Sequence, residues 1–534
     1  MAEEREDVDV IIIGAGVGGL YELYRLREMG ISAHVYEAGD DVGGTWHWNR
    51  YPGARFDSES YTYAYSFSKE LLQDWDWSEH FAGQPETRRY LQHVADRFDL
   101  RRDITFGRRM TRAVWTDDRW IITLDDGTTA SAPFLISAMG VLSIPNPPLW
   151  PGVDDFAGAS FHTSDWPEGL DLAGKRVAVI GTGATAVQLI PEVAQEAAQL
   201  TVYQRTANWC APLNNRPITP EEQAEIKASY DHIFARCLET FGGFMYEADR
   251  RKALEVSAQE RYETFEKLWG EAGFGIWLGN FRDLLVNEEA NKLISEFAAD
   301  KIRARVHDKV LAEKLIPTDH GFGTRRVPME TNYYEAYNRP NVDLVDLRET
   351  PIVRITRDGI ETTDGERAFD VIVYAVGFDA ITGAYDHVDI RGRDDRRLRA
   401  AWADGPRTYL GLMTAGFPNF FMIVGPQQAG PFCNFTRCIE TNSNWLAQLI
   451  ADVRARGATS VEPSAEAQVD WNDEVVRSGE RMLFMKVPSW FTGARRADFD
   501  GTLRNSLVYV GGVPAFNERC AAEADSGYSS LVFD

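Results

Sequence analysis

The stretch that decides the fold is VDVIIIGAGVGG, residues 8–19. Its first half is apolar except for Asp9, the pattern of a parallel strand that is buried on both faces. Its second half is a glycine turn, and the residues after the turn are compatible with a helix. A tight turn, a close approach to a phosphate group and a close helix–strand contact each require glycine. We assign these roles to Gly14, Gly16 and Gly19, in that order.

A second strand and an acid complete this unit. Ala33–Tyr36 is the next β-type run, and Glu37 follows it, 23 positions after Gly14. A carboxylate at the end of that strand can accept both hydroxyl groups of an adenosine ribose. The whole pattern therefore predicts a dinucleotide-binding domain built on a parallel sheet, with a ribose that carries no phosphate.

The same pattern begins again with KRVAVIGTGATA, residues 175–186. In this unit the position 23 after Gly181 is Gln204, and Arg205 and Thr206 follow it. Loss of the carboxylate, together with a guanidinium and a hydroxyl group nearby, suits a 2′-phosphate. Two different dinucleotides are therefore expected, and the simplest assignment is FAD in the first unit and NADPH in the second.

Two later segments complete the predicted α/β fold of two Rossmann-like dinucleotide-binding domains. Residues 132–140 and 369–378 each have the pattern of a strand that closes on a turn of small residues. The segment after residue 211 is instead rich in Ala, Glu and Lys, and TPEE at 219–222 predicts a capping box with proline at the first helical position. The expected layout is an FAD-binding domain from 1–140 and 385–534, an NADP-binding domain from 151–211 and 325–384, and a helical insertion at 212–324.

Composition narrows the possible partners and the location. The formal net charge of -25 repels nucleic acid and anionic lipid, so we expect neither as a partner. The first ten residues are acidic and lack an apolar stretch, and no apolar run is long enough to span a bilayer, so a cytoplasmic enzyme is expected. The five cysteines include no CxxC, and the nine histidines lack metal-ligand spacing. We therefore expect no disulfide framework, no metal and no flavin disulfide reductase.

Residues 156–167, FAGASFHTSDWP, resemble the FxGxxxHxxxWP signature of type I Baeyer–Villiger monooxygenases. The similarity continues at 43–57, at Arg325-Arg326 and at Ser489-Trp490, and so covers nearly the whole chain. It implies that NADPH reduces FAD, that O₂ then forms a C4a-peroxyflavin, and that this adduct attacks a ketone to give an ester or lactone, water and NADP⁺. The alternative is a related flavin N- or S-oxygenase, which carries another aromatic residue at the position of Trp166. A dinucleotide sensor without catalysis is disfavoured, because the resemblance supplies catalytic candidates.

By this resemblance the catalytic residues are Arg326 and Asp57. An arginine keeps its proton at any usable pH, so it can stabilise a peroxide anion without protonating it. Asp57 beside it would position the guanidinium and balance its charge. The residues expected to hold FAD are Gly14, Gly16, Gly19, Glu37, Gly44, Thr45, Trp46, Asp57 and Tyr63. Those expected to hold NADP are Gly181, Thr182, Gly183, Ala184, Thr185, Ala186, Arg205, Thr206, Arg325, Arg326 and Trp490.

The resemblance also implies a hinge and a substrate pocket. The hinge comprises the signature residues Phe156, Gly158, His162 and Trp166, with His162 bonded inside it rather than acting as a base. Phe432 and Phe435 would narrow the pocket. The family commonly reads SWxxGANxPGK after the loop tryptophan, whereas this chain has Arg495 and Arg496 after Ala494 and lacks Pro-Gly-Lys. Loop closure is therefore expected to differ from the family pattern.

Overall fold

A five-stranded parallel sheet forms around the first glycine turn in the structure, a computed structural model that describes residues 8–428, 432–493 and 506–534. In spatial order its strands are Phe420–Met422, Phe134–Ser137, Val10–Ile13, Ala33–Tyr36 and Ile104–Thr105. The central strand is the predicted apolar run, and all four of its residues are buried. Beside this sheet lies a mixed sheet of Asp389–Arg391, Met110–Thr116, Arg119–Leu124 and Thr129–Ala132.

A second five-stranded parallel sheet forms around the second glycine turn. In spatial order its strands are Val342–Asp346, Gln199–Gln204, Arg176–Ile180, Val371–Tyr374 and Ala159–His162. Next to it, Ile352–Ile355, Gly359–Thr362 and Gly365–Ala368 form an antiparallel meander. Two further strand pairs join Ala211–Pro212 to Met329–Glu330 and Val461–Pro463 to Leu531–Phe533. Two parallel sheets, each entered through a glycine turn, agree with the predicted α/β class.

Helices cover the sheets and fill the segment between residues 212 and 324. Helix Val17–Glu28 follows the first turn and packs on Phe435–Arg456, and Ala184–Glu196 follows the second turn. The helices between 212 and 324 are Pro220–Glu239, Ala258–Gly270, Gly275–Leu278, Glu288–Arg305 and Lys309–Lys314. The others are Thr45–Trp48, Ser60–Tyr63, Lys69–Asp74, Gln84–Arg97, Tyr333–Ala336, Gly383–Asp386, Leu398–Ala401, Ala465–Gly479 and Val513–Asp525. The predicted capping box is confirmed, with Thr219 and Glu222 bonded to each other's backbone N–H.

Two connecting segments run side by side between the sheets. Residues 141–146 lead away from the first sheet, and residues 377–381 come from the second sheet. They are joined by backbone hydrogen bonds from Asp379 N to Ile144 O at 2.8 Å and from Ile381 N to Val141 O at 2.7 Å. The two sheets are therefore linked through a narrow hydrogen-bonded crossing.

One local disulfide is present, although the cysteine content predicts no disulfide framework. Cys433 and Cys438 are bonded, with their Cα atoms 6.7 Å apart, because the helix that begins at Phe435 brings its first turn back over residue 433. The remaining cysteines are buried and free. Among the described residues, no cluster of His, Cys, Asp or Glu could hold a metal, and no helix is long and apolar enough to cross a membrane.

Candidate active site between the two sheets

The first glycine turn forms a bare backbone cradle. Gly14 has a φ of +105°, and a Cβ atom there would lie 2.6 Å from the carbonyl oxygen of Ala138. Gly16 faces Gly44, whose Cα would lie 3.3 Å from a Cβ on Gly16. Buried Glu37 accepts a hydrogen bond from Ala15 N at 2.6 Å and another from Gly39 N at 2.7 Å. Exposed backbone at a helix N-terminus fits a pyrophosphate, so these residues suit a dinucleotide.

Aromatic side chains from residues 45–63 form a wall next to this cradle. The indole N–H of Trp46 donates to the hydroxyl oxygen of Tyr63 at 2.9 Å. Phe56 stacks on Tyr63 with ring centroids 4.5 Å apart and meets Trp46 edge-on. Thr45 begins the short helix that carries Trp46, and Gly44 precedes it. The residues predicted around the flavin are thus adjacent to one another.

The second glycine turn leaves the N-terminus of helix Ala184–Glu196 open. Gly181 has a φ of +115°, and a Cβ there would clash with the carbonyl oxygen of Ala375. A Cβ on Gly183 would meet no atom of the described residues within 4 Å. The hydroxyl of Thr182 donates to the carbonyl oxygen of Thr206 at 2.8 Å. This bond ties the turn to the segment that carries the exposed Arg205. An open helix N-terminus beside a guanidinium fits a phosphorylated dinucleotide.

The structure brings Asp57 and Arg326 together from opposite parts of the chain. A guanidinium nitrogen of Arg326 lies 2.9 Å from a carboxylate oxygen of Asp57, and the two side chains are 27% and 7% exposed. Burial raises the pKa of Asp57, and the positive charge of Arg326 opposes that rise. Burial lowers the pKa of Arg326, and Asp57 opposes this change. A partly buried ion pair of this kind holds a permanent positive charge in a place of reduced solvent.

Two rings flank the Arg326 guanidinium, and no residue pattern in the sequence predicts their position. The Phe274 ring centroid is 4.6 Å from the guanidinium carbon, and that of Trp277 is 5.4 Å away. Both rings belong to the segment predicted only as a helical insertion. In the sequence, the two rings are visible only as aromatic residues between glycines in GFGIWLG, residues 273–279. Their contact with Arg326 depends on tertiary packing.

The second helix also contacts the segment that carries Asp57. The hydroxyl of Tyr51 donates to Gln188 Oε1 at 2.9 Å, and Gln188 Nε2 donates to the carbonyl oxygen of Arg55 at 2.9 Å. A Cβ on Gly53 would lie 2.5 Å from the backbone oxygen of Gln188. The helix of the second turn is therefore tied directly to the Asp57 segment, a link that the sequence analysis also missed.

Arg325 contacts the loop that carries Trp490. The Nε of Arg325 donates to the carbonyl oxygen of Pro488 at 3.2 Å, and another of its nitrogens lies 3.4 Å from a carboxylate oxygen of Asp319. Trp490 packs on Phe491 with centroids 4.6 Å apart. The atypical positions Arg495 and Arg496 lie outside the described residues, so the expected change in loop closure stays a prediction.

Phe435 and Trp490 line a narrow apolar cleft beside the crossing of the two connectors. Its other walls include Val141, Ile381, Val424 and Val508. Phe432 is buried next to this cleft, with its centroid 5.8 Å from that of Trp277 and 5.1 Å from that of Phe491. Phe432 thus connects the loop to the rings around Arg326, whereas Phe435 faces the cleft itself.

Of the signature residues, His162 contacts the hydrogen-bonded crossing. His162 Nε2 lies 3.0 Å from the carbonyl oxygen of Gly377, and its Nδ1 accepts a hydrogen bond from Ser164 N at 3.1 Å. These contacts fit a neutral imidazole that donates to the connector. A Cβ on Gly158 would lie 2.5 Å from the backbone carbonyl oxygen of Asp370. Phe156 is buried, and Trp166 packs edge-on against Phe161.

We expect the His162 contact to make the stability of the protein depend on pH. Burial lowers the pKa of His162, so the unfolded chain takes up its proton first as the pH falls through about 6.5. The wild-type melting temperature should therefore fall more between pH 7.5 and pH 5.5 than that of a His162→Gln variant. Exposed His307→Gln is the matched control and should follow the wild type. Equal pH profiles for both variants would contradict the expectation.

The chain is similar to proteins of known activity along almost its full length. The model of the flavin-binding monooxygenase-like family matches residues 7–216. The chain is 47% identical over 533 residues, 98% of each protein, to 2-oxo-Δ3-4,5,5-trimethylcyclopentenylacetyl-CoA monooxygenase of Pseudomonas putida. It is 43% identical to acetone monooxygenase (methyl acetate-forming) of Gordonia sp. strain TY-5, covering 98% of this chain and 99% of the relative. A crystal structure of OTEMO in complex with FAD and NADP superposes with a TM-score of 0.95 at 46% identity, covering 99% of both chains.

Proposed function

Since the chain belongs to the flavin-dependent Baeyer–Villiger monooxygenases, we propose that Arg326 and Asp57 carry its reaction at the junction of the two dinucleotide units. The family assignment makes it an FAD- and NADPH-dependent oxygenase that inserts one oxygen atom of O₂ next to a ketone carbonyl. The predictions of family, fold class, reaction and cofactors are therefore confirmed. The roles of individual residues are our proposal.

The single observation that carries this assignment of roles is the Asp57–Arg326 pair. When bound, FAD would pass electrons from NADPH to O₂ and so supply the activated oxygen. Arg326 cannot release its proton, so it can stabilise negative charge on that oxygen without neutralising it. Asp57 holds the guanidinium by the 2.9 Å contact and keeps its charge balanced when no other anion is present. Phe274 and Trp277 restrict access of water to the guanidinium.

The two cradles support the assignment of each dinucleotide. Gly14, Gly16, Glu37 and the aromatic wall would hold FAD, because the acid at the end of the second strand matches an unmodified ribose. The open turn at Gly183 would hold NADP, with Arg205 near the 2′-phosphate. Tyr51 and Gln188 would then keep the nicotinamide side of the molecule close to the segment of Asp57.

The main test compares products from ketones, amines and sulfides. We expect NADPH consumption to rise with a ketone and the ester or lactone to be found by mass spectrometry. If amine oxide were the main product and no ester formed, an N-oxygenase would replace this proposal. A cytoplasmic location stays a prediction that cell fractionation would test.

Arg205→Ala should weaken the preference for NADPH over NADH. A charge-assisted contact to phosphate contributes about 1.5–3 kcal/mol, so the KM for NADPH should rise about ten- to hundredfold while that for NADH changes little. Steady-state kinetics with both coenzymes measure the effect. Arg357→Ala is the control. Arg357 is an exposed arginine of the same predicted domain, whereas the role proposed for Arg205 depends on a position next to the second glycine turn. An equal rise of both KM values would count against a 2′-phosphate contact.

A further inference from the structure

A second acid, Glu59, lies two residues after Asp57 and is equally buried. Its relative exposure is 6%, compared with 8% for Asp57. Unlike Asp57, it has no cation beside it within the described residues. The titratable groups that face it are Tyr246, Tyr61 and Cys237. A buried carboxyl group without a counter-charge is costly, so a specific contact must compensate for its burial.

The largest compensating contact is a hydrogen bond to Tyr246, and smaller ones come from the backbone N–H of Glu59 itself and the side chain of Thr62. The Tyr246 hydroxyl donates to Glu59 Oε1 and lies 3.5 Å from the carbonyl oxygen of Ala272. It also faces the backbone N–H of Phe274. Gly273 has a φ of +76°, and a Cβ there would clash with the same hydroxyl oxygen, so the backbone approaches it closely. The hydroxyl therefore connects Glu59 to the backbone at 272–274.

The backbone at 272–274 in turn places a ring on Arg326. Phe274 is 3% exposed, and its ring centroid lies 4.6 Å from the guanidinium carbon. The segment 57–59 thus reaches Arg326 by two routes. Asp57 binds the guanidinium directly, and Glu59 reaches it through Tyr246 and Phe274.

We propose that Glu59 is a positioning residue, whose hydrogen bond with Tyr246 holds the Phe274 ring against the Arg326 guanidinium. This inference rests on the role proposed above for Arg326. The acceptor oxygen is the feature that matters, because the hydrogen bond needs no negative charge. Burial raises the pKa of Glu59, which fits a carboxyl group that favours its neutral form.

The first test measures how much consumed NADPH appears as ester. In Tyr246→Phe we expect the ester per NADPH to fall about tenfold and hydrogen peroxide to account for the difference, since a misplacement of about 1 Å can cost up to about 10²-fold. The rate of flavin reduction should stay close to that of the wild type. Glu59→Gln keeps the acceptor and should retain the wild-type yield. Tyr262→Phe is the matched control. Tyr262 is exposed, and its hydroxyl also forms a hydrogen bond with a glutamate, in this case Glu266.

The second test needs no substrate or turnover. With a raised pKa in the folded state, Glu59 contributes stability below about pH 4.3, and this contribution is lost as the pH rises. Glu59→Gln should therefore melt at a higher temperature than the wild type at pH 8, and the gap should shrink towards pH 5. A flat gap, or a Tyr246→Phe yield equal to that of Tyr262→Phe, would overturn the proposal. So would a loss of yield in Glu59→Gln as large as that in Tyr246→Phe.

The controls separate this inference from the proposed function. If the wild type makes no ester, the function itself fails. If the wild type makes ester, Arg326→Ala does not, and Tyr246→Phe behaves like the wild type, only the role of Glu59 fails.

Discussion

Arg326→Ala should lose ester formation while NADPH still reduces the flavin. Removing one placed donor from a charge-stabilising site usually costs about 10²–10³-fold in rate, and we expect a fall of that size. Hydride transfer does not need the charge, so its rate should change far less. The measurements are ester by mass spectrometry, hydrogen peroxide release, and the loss of flavin absorbance without oxygen.

Two further variants make this expectation specific to the guanidinium. Arg326→Lys keeps a positive charge but loses the guanidinium, one nitrogen of which lies 2.9 Å from Asp57, so it should recover only part of the activity. Arg354→Ala removes an exposed arginine paired with Glu361 and should leave the reaction unchanged. Ester formation in Arg326→Ala within about twofold of the wild type would contradict the role proposed here.

Asp57→Ala should destabilise the protein as well as the reaction. Removing one partner of a buried ion pair costs about 3–5 kcal/mol, and the 27% exposure of Arg326 places the expected loss near the lower end. That corresponds to a fall in melting temperature of roughly 3–8 °C, which depends on how much of the chain unfolds together. Thermal unfolding followed by circular dichroism measures it.

The control for Asp57 is a carboxylate in an exposed ion pair. Asp343 lies 3.7 Å from Arg367, with 57% of its side chain exposed, so Asp343→Ala should cost less than about 1 kcal/mol. A melting temperature for Asp57→Ala equal to that of Asp343→Ala would mean that Arg326 does not depend on Asp57 for its charge balance.

Most of the architecture could be predicted because it depends on local patterns. The apolar run before Gly14 forms a buried central strand, and the second unit repeats it before Gly181. The capping box at Thr219 satisfies helix N–H groups within four residues, so its outcome did not depend on distant packing. The Cys433–Cys438 bond was missed because a spacing of five does not by itself bring two cysteines together, and here the helix that begins at Phe435 does so.

The candidate site was predicted in part. Asp57 and Arg326 are 269 residues apart, and resemblance to a family rather than any spacing suggested that they meet. The rings of Phe274 and Trp277 come from a segment whose composition indicates only helices. Next to them, Gly273 has a positive φ and Tyr246 contacts Glu59, and we propose that this contact positions the Phe274 ring.

Sequence alone therefore determined the two dinucleotide folds and their order along the chain, and it predicts the difference between their ribose sites. These properties follow from periodicity, glycine conformation and the charge of a few residues close together in the chain. Tertiary structure alone decided what surrounds Arg326, how the second helix touches the Asp57 segment and where His162 is bonded. Those contacts join residues that lie far apart in the chain, from 49 positions between Trp277 and Arg326 to 269 between Asp57 and Arg326, so no local pattern specifies them and only tertiary packing brings their atoms together.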